Sequence, residues 1–279
     1  MTSIHRPEVS IARGKDPYQR TSRCLEGLSV PSLRGLSSAF VKFNLAPYFF
    51  EQRRTTDAGT HVEAVRAVVH YLRAQGIGDI TVGEGPAQGD VLAGFRECGY
   101  VQMCEEEEVR LVDLDSDEVV EVSIPDARSL HQVGLPKSVL ACDGLVDVAW
   151  MRTHSYARVS LCMKNLMGVV RPEKGIIHVP FPERITDLTS CVKPILSIVD
   201  GTTAFDEGRD RSIVAMDLTI AGTDIVAVDA VGTSVMGFDP LQIPYIRLAQ
   251  ERGLGIADLS RIVLVGLSIE EVRRPFAPI

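Results

Sequence analysis

The stretch MRTHSYARVSLCMKNLMGVV in the middle of the chain contains residue types that a purely structural core segment avoids. Arg152, Thr153 and His154 follow an apolar run, and Lys164 and Asn165 interrupt another one. Arginine and lysine attract a carboxylate or phosphate, asparagine adds directional hydrogen bonds, and histidine exchanges a proton near neutral pH. These types and their spacing favour acid–base chemistry on a small anionic molecule.

The Lys-Asn pair in this stretch raises the question of what neutralises a buried lysine. If the segment SLCMKNL is helical, Lys164 and Asn165 interrupt its apolar face, so at least one of them is partly buried and needs a polar partner. Glu84 or Asp200 would be that partner in a structural network, and the carboxylate or phosphate of a substrate would be the partner in an active site. The sequence leaves both interpretations open.

Other polar residues fall where predicted strands end or predicted helices begin. In parallel α/β sheets the carboxyl ends of the strands face the crevice that binds ligands, so such residues are candidates for one site. Each also has a plain structural interpretation as a solvated lysine, a turn residue or a helix cap. The candidates of this kind are Lys42, Asn44, Asp57, Glu84 and Asp200.

A divalent metal is a further hypothesis for the same residues. Imidazole and carboxylate groups are common metal ligands, and His154 and His178 together with Glu84 or Asp200 would supply both. No two of these residues share a spacing that is diagnostic of a metal site.

Redox cofactors have weaker support in the sequence. The six cysteines contain no Cys-x-x-Cys motif, so we expect no intrinsic iron–sulfur cluster and no thiolate zinc site. No Gly-x-Gly-x-x-Gly motif follows a predicted strand, which argues against a self-contained dinucleotide enzyme. A redox role would therefore need electrons from a separate iron–sulfur or flavin partner protein.

Composition narrows the class of partner. A chain of 279 residues with 45% hydrophobic residues can bury a sizeable core. The net charge of −8 and the acidic run CEEEEVR argue against nucleic acid. The N-terminal residues lack the pattern of a signal peptide, and no stretch approaches the roughly 18 apolar residues of a membrane span, so we expect a cytoplasmic protein without a membrane partner.

Alternating strand and helix patterns predict an α/β fold with a mostly parallel central sheet flanked by helices. The segment VRLVDLDSDEVVEVSIP predicts two strands joined by a polar turn, an antiparallel hairpin inserted at the sheet edge near residues 105–125. We expect a single domain over residues 1–279, with two packed subdomains as the alternative.

Several of these motifs, in order from about Glu8 to the C-terminus, resemble the bacterial family called domain of unknown function 362. They are VKFN, TTDAG, DITVGEG, RTHSYARVSLCMKNLMG, ITDL, SIVDGTTAFDEG, IAGTDIVAVDAVGTSVMGFDP and RIVLVG. The hallmark of the family is a Lys-Thr-His segment followed by a Lys-Asn-x-x-Gly segment. Its recurring positions correspond here to Lys42, Asn44, Asp57, Glu84, Thr153, His154, Lys164, Asn165, Gly168, Asp200, Asp224 and Asp229.

The chain also departs from the family pattern. Arg152 stands where lysine is usual, which keeps the charge and offers a planar fork suited to a carboxylate or phosphate. Phe43 replaces a common proline, and EGRDRS replaces a Gly-Pro turn. Many members carry an added ferredoxin-like segment, whose cysteines are absent from this sequence.

Together these observations predict an enzyme that acts on a small anionic metabolite by acid–base chemistry, with or without a metal, in a polar cleft at the strand ends. Two alternatives stay open: an oxidoreductase component supplied with electrons by a partner, and a non-catalytic protein that binds a metabolite or cofactor. A homodimer is a further open alternative. The predicted catalytic residues are His154, Lys164 and Glu84, and the predicted substrate-binding residues are Lys42, Asn44, Asp57, Arg152, Thr153 and Asn165.

Overall fold

A computed structural model describes residues 6–46, 57–85 and 90–279. In these residues the strands are β1 (Glu8–Arg13), β2 (Ser38–Lys42), β3 (Asp79–Glu84), β4 (Arg110–Asp113), β5 (Val119–Ser123), β6 (Gln132–Pro136), β7 (Gly144–His154), β8 (Arg158–Ser160), β9 (Leu196–Asp206), β10 (Ser212–Gly222) and β11 (Val263–Gly266). The helices are α1 (Pro17–Glu26), α2 (Val62–Ala74), α3 (Val91–Glu97), α4 (Tyr100–Glu106), α5 (Lys137–Ala141), α6 (Cys162–Asn165), α7 (Phe181–Cys191), α8 (Ile225–Val235), α9 (Pro244–Glu251) and α10 (Ile269–Val272).

The main sheet has the strand order β11-β1-β10-β9-β7-β2-β3-β4, and β8 pairs with β7 outside this path. The five neighbours β9, β7, β2, β3 and β4 run parallel, whereas β10 runs antiparallel to both of its neighbours. The first eight residues of β7 are buried, as expected of a parallel strand that is covered on both faces. The predicted α/β fold with a mostly parallel sheet is confirmed.

Helices cover both faces of this sheet and form two separate apolar cores. Along β7, Val146 and Val148 contribute to the core with α1–α4, whereas Leu145 and Ala149 contribute to the core with α6–α10. Because successive side chains of a strand point to opposite faces, Asp147 faces the layer of α6–α10. None of the described helices offers the length and apolar composition that a bilayer-spanning segment needs.

A small antiparallel sheet is present as predicted, but its strands pair differently from the expectation. Strand β5 pairs with β6, which lies after the predicted hairpin, and β4 pairs in parallel with β3 at the edge of the main sheet. The predicted hairpin near residues 105–125 is therefore wrong in its pairing. The parallel pairing of β4 with β3 lets Leu111 pack against one core and Val112 against the other. It also covers the edge of β3, which would otherwise expose unpaired main-chain groups.

Candidate functional site

The hairpin of β7 and β8 brings the two halves of the chemistry-bearing stretch together. Strand β7 ends at His154, and β8 pairs back along it in the register Arg152 with Ser160 and His154 with Arg158. Helix α6 follows directly and carries Lys164. The fold-back thus places His154 and Lys164 near each other although they lie ten positions apart in the chain.

Both residues meet at the ring of Tyr156, in the turn between β7 and β8. The ring of His154 lies edge-on with its centroid 4.3 Å from that of Tyr156, and Lys164 Nζ lies 5.3 Å from the same centroid. His178 also contacts this ring edge-on, with its ring centroid 5.3 Å from that of Tyr156. We call His154, Tyr156, Lys164 and His178, together with Arg152, the Tyr156 cluster.

A cavity of about 430 Å³ opens beside this cluster, between the hairpin, α7 and α9. Aromatic rings form much of its wall: Phe181 lies 5.1 Å from Tyr156, and Tyr245 lies 5.5 Å from Phe181, between ring centroids. Mostly apolar walls with a few polar groups are typical of small-molecule sites. The lining residues are Tyr156, Ala157, His178, Val179, Phe181, Pro182, Pro244 and Tyr245.

Lys164 is a buried lysine with no anionic partner in the described part of the chain. It is 8% exposed, and no hydrogen bond or ion pair joins its Nζ to a described residue. Burial lowers the pKa of Lys164 well below its ordinary value, and the positive charges of Arg152 and Lys42 lower it further. A cation in this environment is destabilised until an anion arrives.

Arg152 is the second cation of the cluster, and it too makes no ion pair with a described carboxylate. Its Nε donates a hydrogen bond to Ser160 Oγ at 3.3 Å, across the β7–β8 hairpin. Burial lowers the pKa of Arg152, but a guanidinium keeps its charge at any ordinary pH. Arg152 therefore supplies a permanent positive charge to the cluster.

His154 is held as a neutral imidazole. Burial, followed by the charges of Lys164, Arg152 and His178, lowers the pKa of His154 to about 2. Its Nδ1 is buried and lacks a hydrogen-bond partner among the described residues. A neutral ring with an unused nitrogen can accept a proton from a substrate if the arriving negative charge raises its proton affinity.

Lys42 and Glu84 form a second, closed cluster next to α6. Lys42 Nζ donates to Glu84 Oε2 at 2.7 Å, to Asn165 Oδ1 at 2.6 Å and to the carbonyl oxygen of Phe43 at 2.6 Å. Both ionic side chains are buried. All three donors of this lysine are used, so Glu84 neutralises Lys42 rather than Lys164.

Asp147 extends the closed cluster and was not among the residues predicted from the sequence. Asn165 Nδ2 donates to Asp147 Oδ1 at 2.7 Å, while Oδ2 is buried without a partner among the described residues. Burial raises the pKa of Asp147 to about 7, although the charge of Lys42 opposes this. A lone acidic residue inside the apolar run GLVDVAW was the signal that could have identified it.

Of the residues predicted from the sequence, only His178 lines the cavity, and four of the others lie in separate contacts elsewhere in the described chain. Asp200 forms a buried ion pair with Arg20 at 3.2 Å. Thr153 Oγ1 donates a hydrogen bond to the carbonyl oxygen of Phe205 and accepts one from the main-chain N–H of Glu207. Asn44 pairs through its main chain with Thr60, and the exposed Asp57 accepts a hydrogen bond at its carbonyl oxygen from Thr203.

The predicted metal ligands are not assembled into one group. Glu84 is paired with Lys42 and Asp200 with Arg20, whereas His154 and His178 flank Tyr156. Within residues 6–46, 57–85 and 90–279, no three or more His, Cys, Asp or Glu side chains form a set suited to a metal ion.

Comparisons with known proteins identify relatives of this chain. A family model described as "Domain of unknown function (DUF362)" matches residues 40–234. A curated relative, the thylakoid-associated protein sll1697 of Synechocystis sp. (strain ATCC 27184 / PCC 6803 / Kazusa), is 24% identical over 208 residues. That alignment spans 70% of this chain and 62% of the relative's length.

A search of solved structures matches the lactate racemase apoprotein from Thermoanaerobacterium thermosaccharolyticum. The two chains are 12% identical with a TM-score of 0.47, and the match covers 80% of this chain and 56% of the racemase.

Proposed function

The chain belongs to the DUF362 family, and on that premise we propose that it is an enzyme that binds a small carboxylate- or phosphate-bearing metabolite beside Tyr156 and moves a proton on it. Arg152 binds the anionic group in this proposal. His154 and Lys164 exchange the proton. The proposed site is the aromatic cavity together with the Tyr156 cluster.

The observation that carries the proposal is a pair of cations without a described counter-ion next to a cavity. An uncompensated buried charge costs several kcal/mol, so a protein that serves only structural needs pairs such groups or replaces them. The same chain neutralises Lys42 with Glu84 and Arg20 with Asp200. An anionic ligand would neutralise Arg152 and Lys164 in the same way.

The neutral state of His154 suits it to the role of a general base. In the free protein its proton affinity is low because of burial and the surrounding positive charges. A bound carboxylate or phosphate would offset those charges and raise that affinity when the substrate is in place. General acid–base catalysis of this kind contributes roughly 10²–10⁴-fold to a rate.

Glu84, Lys42 and Asn165 have a positioning role in this proposal. The Lys42–Glu84 pair holds the amide of Asn165, and Asn165 is adjacent to Lys164 in α6. Substrate contact is therefore assigned to Arg152, Lys164 and His154, and the closed cluster fixes the helix that presents Lys164.

Binding is tested by titrating the purified protein with inorganic phosphate, acetate and pyruvate in a calorimeter. We expect saturable binding of at least one probe, and a loss of about tenfold or more in affinity in Arg152→Met, because a charge-assisted hydrogen bond is removed. Arg158→Met is the matched control, since Arg158 is an exposed arginine on the same hairpin. Absence of saturable binding for every probe, or equal loss in both variants, would contradict the proposal.

Proton transfer is tested separately by incubating the protein with pyruvate in D₂O and following the methyl protons by NMR. We expect exchange with solvent deuterium that is lost in His154→Gln. Binding without exchange of any tested carbon acid would favour the alternative of a non-catalytic binding protein.

A cytoplasmic location is part of this proposal, and the thylakoid-associated relative suggests association with a membrane surface as the alternative. Fractionation of cells that express the protein distinguishes the two.

A further inference from the structure

We propose that Lys164 is a covalent nucleophile whose ε-amine forms an iminium with the carbonyl carbon of a 2-oxo acid, while Arg152 holds the carboxylate of that acid. This inference rests on the proposed function, because it needs the anion site beside Tyr156. It goes further in naming the substrate class and the atom that reacts.

The first support is that the amine of Lys164 is free to react. Lys42 donates its three N–H groups to Glu84, to Asn165 and to the carbonyl oxygen of Phe43. Lys174 donates to the carbonyl oxygen of Gly85 at 2.6 Å. Lys164 has no such partner among the described residues, and its Nζ lies against the Tyr156 ring that also lines the cavity.

The second support is the set of groups that face this amine. Arg152 and Lys42 are positive, His154 is neutral, and the exposed His178 contacts the same Tyr156 ring. The face of Tyr156 favours the ammonium form by roughly 0.5–2 kcal/mol, which is less than the several kcal/mol that burial of an unpaired ammonium costs. The lowered pKa increases the fraction of unprotonated amine, whose lone pair can react, as in other lysines activated by burial and a neighbouring cation.

The third support is that Arg152 and Lys164 both lie close to Tyr156, which lines the cavity. Arg152 provides a planar fork for a carboxylate on the strand that leads into the Tyr156 turn, and Lys164 approaches the same turn from α6. In a 2-oxo acid the carbonyl carbon is bonded directly to the carboxylate carbon. One small molecule can therefore contact a carboxylate-binding cation and a nearby amine at the same time.

The step balances without an oxidant or reductant. The lone pair of Nζ forms a bond to the carbonyl carbon, and the carbonyl π electrons move to oxygen. His154 Nδ1 takes a proton from nitrogen and returns it to that oxygen, which gives a neutral carbinolamine. A solvent proton, relayed by the same ring, then converts the hydroxyl into water, which leaves as the nitrogen lone pair forms the C=N⁺ bond.

The iminium explains why proton transfer would be efficient in this cavity. Its positive nitrogen attracts the electron pair that is left when a proton departs from the neighbouring carbon. Formation of such covalent intermediates splits a difficult step into easier ones. In this mechanism the same His154 that assists the loss of water takes that proton.

The test is reductive trapping of the full-length protein with pyruvate and sodium cyanoborohydride, followed by peptide mapping. We expect one reduced adduct on Lys164, formed at least about tenfold faster than adducts on the exposed Lys15, since each unit by which an amine pKa falls raises its unprotonated fraction about tenfold. Acetone, which lacks the carboxylate, should label Lys164 much more slowly. The Arg152→Met variant should reduce labelling by pyruvate more than labelling by acetone, because loss of the carboxylate contact adds to the rise in the pKa of Lys164 that both reactions experience.

Lys164→Arg should remove the adduct, and Lys174→Arg should leave it unchanged. Labelling of exposed lysines with none on Lys164 would overturn the covalent inference. If phosphate or acetate still binds in a manner that depends on Arg152, the proposed function survives that failure. If no anion binds and no adduct forms, both are wrong.

Discussion

Lys42 and Lys164 are buried to a similar degree and yet have opposite electrostatic situations. Lys42 is surrounded by Glu84, Asn165 and a carbonyl oxygen, so its ammonium form is satisfied. Lys164 has burial and neighbouring cations without a described anion, so its ammonium form is penalised. The difference lies in the partners rather than in the residue type, and it separates a structural lysine from a reactive one.

Replacement of each lysine by methionine should show this difference in stability. Lys42→Met leaves Glu84 buried without its cation, so we expect a loss of roughly 3–5 kcal/mol in the free energy of unfolding. Lys164→Met removes an unpaired buried amine and keeps the apolar stem, so we expect a change within about 1 kcal/mol, or a gain in stability. Urea unfolding measures both. An equal loss in the two variants would show that Lys164 is structural.

Asp147 should make stability depend on pH. Its pKa is raised by burial to about 7, so from about pH 4 to about 7 the folded protein retains a proton that the unfolded chain has released. Stability should therefore fall as the pH rises through this window, by roughly 1.4 kcal/mol for each unit of the shift.

The Asp147→Asn variant keeps an oxygen to accept the bond from Asn165 and cannot titrate, so its stability should fall less over the same window. His154 has the opposite effect: because it stays neutral in the folded protein, stability falls as the pH drops below the pKa of histidine in the unfolded chain. Both proteins contain His154, so this effect cancels when their pH profiles are compared. Urea unfolding of both proteins at several pH values gives the difference. Parallel pH profiles would disprove a raised pKa for Asp147.

At the scale of elements, short helix α6 is held by contacts from distant parts of the chain. The carboxylate of Asp229, in α8, accepts hydrogen bonds from the main-chain N–H groups of Cys162 and Met163 at 2.7 and 3.1 Å. The turn after α6 brings Gly168 against the Lys42–Glu84 pair. A helix of four residues has little stability of its own, so these anchors determine where Lys164 lies.

Gly168 is the point of closest approach between that turn and the closed cluster. A Cβ at this position would lie 2.5 Å from Lys42 Cε and 3.0 Å from Glu84 Oε1. The side chain of Lys42 is fixed by three hydrogen bonds, so it cannot move away without breaking them. We expect Gly168→Ala to lower the free energy of unfolding by about 1–3 kcal/mol. Gly78→Ala is the control, because its Cβ would meet no atom within 4 Å. Equal stability of the two variants by urea unfolding would contradict this packing.

At the scale of the whole molecule, the sheet separates two cores, and the thiols are distributed through both. Cys24 and Cys104 belong to the core with α1–α4 and Cys162 to the core with α6–α10. Burial raises the pKa of each, to about 12 for Cys24 and Cys104 and well above the ordinary thiol value for Cys162. The three remaining thiols, those of Cys98, Cys142 and Cys191, are half-buried and also have raised pKa values.

Thiol reactivity should therefore report on the integrity of the whole fold. Because the thiolate is the reactive form, we expect all six cysteines of the native protein to react with Ellman's reagent at least about tenfold more slowly than free cysteine. In urea all six should react rapidly. A native thiol that reacts at the rate of free cysteine would contradict the raised thiol pKa values.

Local sequence patterns were sufficient for the fold class and for several element ends. Asp224 caps α8 as its position before an apolar helix predicts, and Gly76 and Gly237 adopt positive φ just beyond helices, as expected of helix stops. The cap of α2 is His61 rather than the preceding Thr60, although threonine is the more usual N-cap residue. Strand and helix periodicities arise from neighbouring residues, so a linear sequence displays them directly.

Which strands pair and which charged side chains contact each other, in contrast, was decided only by the tertiary structure. The segment that contains β4 and β5 had the pattern of a hairpin, but β4 joined β3, where the side chains on its two faces pack against the two cores. The sequence marked Lys164 and Glu84 as catalytic candidates and Lys42 and Asn165 as substrate-binding candidates of one site. Lys42, Glu84 and Asn165 come into contact only after the parallel sheet and α6 have packed. Glu84 then neutralises Lys42, and Lys164 has no anionic partner among the described residues. The sequence cannot show this, because an ion pair depends on distance in space rather than along the chain.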